Sequence, residues 1–346
     1  MRKALLITLL SLLLVPVAIG AWVKQPFNHE IGELKFAGLV KADPERLKAD
    51  VEKLSVTYAT RHFGDVRTLD LAANYIQAEF KKTTERVEIQ SYQVDSEKFH
   101  NIIAHFGPKI DYTATYENGP PKPIIIGAHY DVHEDTMGAD DNASGVAGLL
   151  ELARIFAKKP PTIPVQIVAY TLEEPPNFRT DSMGSRQHVA SLMQAGIQPE
   201  LVIVLEMIGY YNEAENSQEY PVSLLKWFYP TRGDYIGVVG RFSAAPTNKM
   251  VKMVMQSAHP EFPVESISAP AMMTGIDFSD HASYWLHDMP AVMITDTSFY
   301  RNPNYHKATD TADMLDYTRM AKVVEGVHTV TVYMSDSKNI KDKSDE

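Results

Sequence analysis

The chain has 346 residues, no cysteine and a formal charge of −11. Its length suits one large α/β domain or two small ones, and the missing cysteine excludes disulfides, a thiolate nucleophile and any cysteine zinc site. The acidic balance, without a basic run longer than two residues, argues against a nucleic-acid partner. A metal, if one is bound, must be held by His, Asp and Glu.

Arg2 and Lys3 precede an almost pure Leu, Ile, Ala and Val run from Ala4 to Val15, followed by Pro16 and the small residues Ala18, Gly20 and Ala21. This pattern predicts a signal peptide over residues 1–21 and export to the periplasm or medium. A retained anchor through residues 4–23, with membrane attachment, is the alternative. Residues 22–42 read as a linker. Asp43 and Pro44 then open a helix to Arg61 with Leu47, Val51, Leu54 and Tyr58 at helical spacing, and a second helix follows from Asp65 to Lys82. Arg86 to Val94 alternates as a strand does, and Asn101 to Phe106 is its expected antiparallel neighbour at the edge of the sheet.

The run at Ile124 to Ile126 is too short for a helix and rich in β-branching, which suits a strand buried on both faces. From Asn142 the spacing turns helical, with Val146, Leu149, Leu150, Ala153 and Phe156 on one stripe. The loop holding His129, Asp131, Asp140 and Asp141 therefore joins a strand's carboxyl end to a helix, where ligands bind in open α/β sheets. Val165 to Leu172 repeats the design and ends in Glu173 and Glu174; Leu201 to Leu205 ends in Glu206. Ala291 to Thr295 leads into a polar loop with Tyr305, His306 and Asp310. A helix from Met314 to Met334 closes the domain, and residues 335–346, alternating in charge, read as a disordered tail. A single domain over residues 43–334, with a mixed, mostly parallel central sheet flanked by helices, is the expected fold.

Four buried strands thus release acidic or imidazole side chains at one edge. Two adjacent glutamates on extended backbone point to opposite sides, so one can ligate a metal while the other faces substrate. One His, a shared Asp, two further acids and a distant His suffice for two zinc ions about 3.5–4 Å apart, a pair that activates water without a nucleophilic side chain. Neither a cysteine nor a G-x-S-x-G elbow is present to suggest another route.

In order and spacing, H-x-D (His129, Asp131), G-A-D-D-N-A-S-G (Gly138 to Gly145), Glu173-Glu174, G-S-R (Gly184 to Arg186), E-M-I-G (Glu206 to Gly209), S-D-H (Ser279 to His281) and Y-H-x-x-x-D-T (Tyr305 to Thr311) together resemble the M28 family of zinc metallopeptidases, which includes bacterial aminopeptidases. The resemblance implies the zinc exopeptidase, phosphorylase/hydrolase-like fold and two Zn2+ per chain. His129, Asp141 and Glu206 would hold one ion, Asp141, Glu174 and His306 the other, with Asp141 bridging. Glu173 matches the general base, Asp131 would fix the His129 tautomer, Asp310 would do the same for His306, and Tyr305 would help stabilise the oxyanion. Glu206 stands where many relatives have Asp, and the usual run after the paired glutamates is expanded by PPNFRTD (Pro175 to Asp181).

The expected function is removal of amino-terminal residues from peptides. Alternatives are another exopeptidase of the family (dipeptidase or carboxypeptidase), a single-zinc glutaminyl cyclase on the same fold, and an inactive ectodomain that only binds a partner. Asp140 is read as a solvated loop carboxylate, and His133, His188, His259, His287 and His328 as structural. His281 is read as structural too, with Ser279 as a helix cap.

Overall fold

The computed structural model describes residues 40–111 and 120–344. The expected signal segment and nearly all of the linker lie outside the described residues. Asp43 caps the first helix, α1 (Pro44–Glu52), accepting from the amides of Glu45 and Arg46, and Pro44 takes the first turn. The helix ends earlier than expected, passing at Lys53–Thr57 into a wider π-type turn. Beyond it, α2 (Val66–Lys81) opens on Asp65, whose carboxylate accepts the Thr68 amide.

Among the described residues the sheet has eight strands: β1 (Val87–Val94), β2 (Glu97–Phe106), β3 (Ile124–His129), β4 (Val165–Tyr170), β5 (Leu201–Glu206), β6 (Ile236–Arg241), β7 (Val264–Ala269) and β8 (Ala291–Thr295). Their order across the sheet is β1-β2-β4-β3-β5-β8-β6-β7. The pairs β4/β3, β3/β5, β5/β8 and β6/β7 are parallel; β1/β2, β2/β4 and β8/β6 are antiparallel. The architecture is the mixed, mostly parallel sheet expected, although the edge hairpin reaches the centre through β4 and not through β3. Strands β6 and β7 were not foreseen.

Helices cover both faces. α3 (Gly145–Lys158), α5 (Ala245–Ala258) and α7 (Tyr317–Ser344) pack with α1 and α2 around the larger core, in which Ile126, Ile167, Ile203 and Ile294 are fully buried. On the other face α4 (Gly184–Gln194) and the short α6 (His281–Trp285) cover Ile125, Val168, Val204 and Met293. Alternate residues of β3, β4, β5 and β8 thus serve two cores, which is why those strands read as continuous apolar runs. α7 runs on to Ser344, through residues that charge alternation had assigned to a disordered tail. Among the described residues no helix is long and apolar enough to cross a membrane.

Candidate metal centre

The carboxyl ends of β3, β4 and β5 and the loop after β8 converge. His129 is the last residue of β3; its Nε2 lies 3.4 Å from Asp141 Oδ1 and 3.3 Å from Glu206 Oε2, the last residue of β5. His306 Nε2 lies 3.1 Å from Asp141 Oδ2 and 3.4 Å from Glu174 Oε2. Asp141 therefore presents one oxygen to each imidazole. In each group, His129/Asp141/Glu206 and Asp141/Glu174/His306, the donor atoms lie within 4.8 Å of one another. All five expected ligands come together. Glu173 Oε2 stands 3.9 Å from His129 Nε2, beside the first group.

The donors fit a metal. His129 Nε2 and Glu174 Oε1 are buried and have no hydrogen-bond partner among the described residues, although such atoms are nearly always paired. Charge says the same. Burial, with like-charged Asp141 beside it, lifts Glu174 to a pKa of about 7, and burial, only partly offset by His129, raises Glu206. Burial lifts Glu173 well above the usual carboxylate range, against the pull of His129 and with the push of Glu206 and Glu174. Burial pulls His306 down, but hydrogen bonds with Asp141 and Glu174 outweigh it and hold the ring at about 10. Crowded carboxylates around two imidazoles are the surroundings that a divalent cation relieves.

Three polar side chains hold the ligand backbone. Asp131 accepts the amides of Glu173 at 3.1 Å and Glu174 at 3.0 Å, one on each oxygen. Its Oδ1 is 3.5 Å from His129 Nδ1, while its own main-chain carbonyl is nearer that nitrogen, at 3.2 Å. Asp131 thus anchors the paired glutamates first and the imidazole second. Asp310 accepts the amides of Asp140 and Asp141, at 3.0 Å each, and makes no contact of the expected kind with His306. That expectation is corrected: spacing along the chain suggested the neighbouring His, but the carboxylate turns to the bridging loop. Asn142 completes the frame, giving its Nδ2 to Leu205 O at 2.8 Å and accepting from Met207 N and Gly145 N at 3.1 Å. It ties the bridging loop to the end of β5.

Asp140, expected to be solvated, is fully buried. Its oxygens accept from Gly209 N at 2.9 Å and Asn302 Nδ2 at 2.8 Å, and burial beside Asp296 raises its pKa well above the ordinary value. Ser279 does not cap α6; its hydroxyl donates to Glu206 Oε2 at 2.6 Å and so aims that ligand. His281 Nε2 meets Ile276 O at 2.7 Å, its ring packs edge-on against Trp285, and burial lowers its pKa to about 4. His133 is closer to the centre than expected. Its ring stacks on that of His306 with centroids 4.1 Å apart, and Tyr305 stacks on the same imidazole at 3.8 Å. The alternation His129, Asp131, His133 on extended backbone was the available signal.

Arg61 carried no signal in the sequence. Fully buried, its guanidinium donates to the carbonyls of Tyr130, Leu54, Met137 and Gly138 at 2.6–3.1 Å, clasping both ends of the loop between His129 and Asp141. Burial lowers its pKa to about 10, which leaves it cationic.

An α/β sheet carrying two His/carboxylate groups that share one Asp at its strand ends defines a zinc exopeptidase-fold protein. The chain belongs to peptidase family M28, whose model matches residues 111–331; a zinc centre comes with that family. It is 46% identical over 297 residues, covering 84% of this chain and 88% of the relative, to the uncharacterized protein YfbL of Escherichia coli (strain K12). It is 25% identical over 321 residues, 88% of this chain and 77% of the relative, to a protein of Trichophyton verrucosum (strain HKI 0517) named "Probable leucine aminopeptidase". Among solved structures it resembles LapB of Legionella pneumophila, with a TM-score of 0.66 and 21% identity over 90% of this chain and 76% of that one. It also resembles the glutaminyl cyclase of Bacteroides thetaiotaomicron, with a TM-score of 0.63 and 19% identity over 85% and 99%. These two likenesses concern the fold.

Proposed function

We propose that this chain is an exported dizinc aminopeptidase. The observation that carries the reading is the sharing of Asp141 between two complete His/carboxylate groups, with Glu173 at their side. His129, Asp141 and Glu206 would hold one ion, and Asp141, Glu174 and His306 the other. Bound there, the two zincs would supply a water acidified toward neutral pH and a polarised scissile carbonyl.

Glu173, beside the first group, would serve as the general base, its carboxylate taking a proton from the attacking water and passing it to the departing amine. Asp131, gripping the Glu173 and Glu174 amides, keeps base and ligand in fixed relation. Tyr305, its ring stacked on His306, is assigned to donate to the oxyanion that develops on the carbonyl. The carboxylates also suit the substrate's amino group. The cavity beside them, about 290 Å³, is near the low end of the roughly 300–1,000 Å³ range for small-molecule pockets, a size for a chain end and not for a folded protein.

Hydrolysis of aminoacyl chromogenic substrates that EDTA abolishes and zinc restores is the expected result. Glu173→Gln should lower kcat by about 10²–10⁴-fold, while metal analysis still finds two zincs per chain. Full activity in that variant would discard the mechanism. One zinc per chain with pyroglutamate formed from amino-terminal glutamine would select the cyclase, and cleavage of amino-blocked peptides would select a carboxypeptidase. Export is checked by fractionation and by sequencing the mature amino terminus; full-length protein in the cytoplasm would refute it.

A further inference from the structure

The register of the sheet lays a floor beside the metal centre. Glu206 on β5 pairs with Thr295 on β8, Thr295 with Gly237 on β6, and Gly237 with Glu265 on β7. Two residues along, a second row runs Val204, Met293, Val239, Ile267. Side chains alternate between faces with a period of two, so both rows lie on one face, the face that bears the ligand Glu206. From Glu206 to Glu265 is three strand spacings, about 14 Å.

Thr295, Gly237, Val239, Ile267 and Glu265 line the same cavity as the metal ligands. Tyr220 and Tyr229 also line it, and their hydroxyls donate to Pro230 O and Ser266 O at 2.6 Å each, so the rings remain as apolar surface. Phe178 and Phe278, edge to face at 5.8 Å, add a wall. Glu265 at the far end is paired with Lys252 at 3.3 Å. The chamber is therefore long, aromatic and bounded by acids at both ends.

Gly237 is the gap in this floor. Its φ is not left-handed, so the backbone does not demand glycine there. Glycine inside a strand weakens it and often marks a place where something else must approach closely. A Cβ at 237 would meet Thr295 O at 3.2 Å, a close approach that the neighbouring strand would have to ease by a few tenths of an ångström, with the methyls of Thr297 and Thr295 next, at 3.7 and 3.9 Å. A larger side chain would extend into the chamber.

We infer that Gly237 determines the side-chain preference of this site, keeping the floor open for a large aromatic amino-terminal residue, Trp or Phe. This rests on the aminopeptidase reading above, and the test separates the two. In an apolar pocket one methylene changes kcat/KM by about 10–200-fold, so the zinc-loaded wild type should prefer Phe and Trp 4-nitroanilides over Ala by at least roughly tenfold. Gly237→Val should lower Phe and Trp by a similar factor relative to Ala. Should Gly237→Val not fold, Val239→Phe fills the second row and makes the same comparison. Calorimetry of indole with zinc-free protein supplies a readout without catalysis: binding to wild type, strongly weakened in the variant. Equal rates for Ala and Trp in wild type, or a uniform loss across substrates in the variant, would overturn the role of Gly237 and leave the peptidase reading intact. No hydrolysis of any anilide, with indole binding blocked by Gly237→Val, would sink the aminopeptidase reading and sustain the floor. Indole binding absent, or equal in both proteins, overturns the inference.

Discussion

Replacing Asp131 by Asn keeps the size of a buried side chain and turns one of its two acceptor oxygens into a donor. In the native protein one oxygen takes the Glu173 amide at 3.1 Å and the other the Glu174 amide at 3.0 Å. The variant can satisfy only one. The other amide then faces an NH2 group inside the protein, and an unsatisfied buried donor costs about 1–3 kcal/mol. The negative charge 3.5 Å from His129 Nδ1 is lost as well, and with it support for an imidazole whose other nitrogen faces the candidate metal site. If the backbone turns to escape the clash, Glu174 leaves its place, and zinc affinity should fall about 10–100-fold. Competition against a chromophoric zinc chelator measures that fall, and denaturant unfolding of zinc-free protein measures the part borne by the fold alone. Zinc affinity within twofold of wild type, with zinc-free stability within about 0.5 kcal/mol, would refute the view that Asp131 holds the paired glutamates.

Arg61→Met removes a buried guanidinium that serves four main-chain carbonyls, and a loss of about 3–5 kcal/mol is expected in urea unfolding; a change below about 1 kcal/mol would contradict the clasp. Burial holds His188, His281 and His328 near a pKa of about 4, against 6.5 when unfolded. Because the unfolded chain takes up protons first, stability falls as pH drops from about 6.5 to 4, by about 2 kcal/mol per ring at pH 5. Unfolding midpoints at pH 7 and pH 5 test this, and His188→Gln should flatten the slope. Zinc should raise the melting temperature, since free metal at a thousand times its Kd adds about 4 kcal/mol; calorimetry with and without EDTA reads the shift, and an unchanged midpoint would deny a metal site.

The candidate ligands were legible because each closes an apolar run or sits in a short motif, and strands buried on both faces write themselves as unbroken Ile and Val. β6 and β7 escaped for the opposite reason. IGVVGR carries two glycines, and VESISA places polar residues on a half-covered edge strand, so neither run looks buried. Asp140 was misjudged because its partners, Gly209, Asn302 and Asp296, lie far along the chain. Arg61 acts through main-chain carbonyls, which have no residue identity, so no spacing could announce it. Ser279 and Asp310 stood in recognisable motifs, yet their targets were set by the packing of loops.

The frame around the bridging loop also bears on how such a centre can change over time. Asn142 and Asp310 fasten peptide groups, and Asp131 fastens the amides of Glu173 and Glu174 before it supports an imidazole, so the scaffold is largely indifferent to which acid projects from it. Glu206 illustrates the latitude: its longer arm is steadied by a serine hydroxyl at 2.6 Å. Donor chemistry can therefore drift one residue at a time on a chassis that stays put, and new reactivity needs no new architecture.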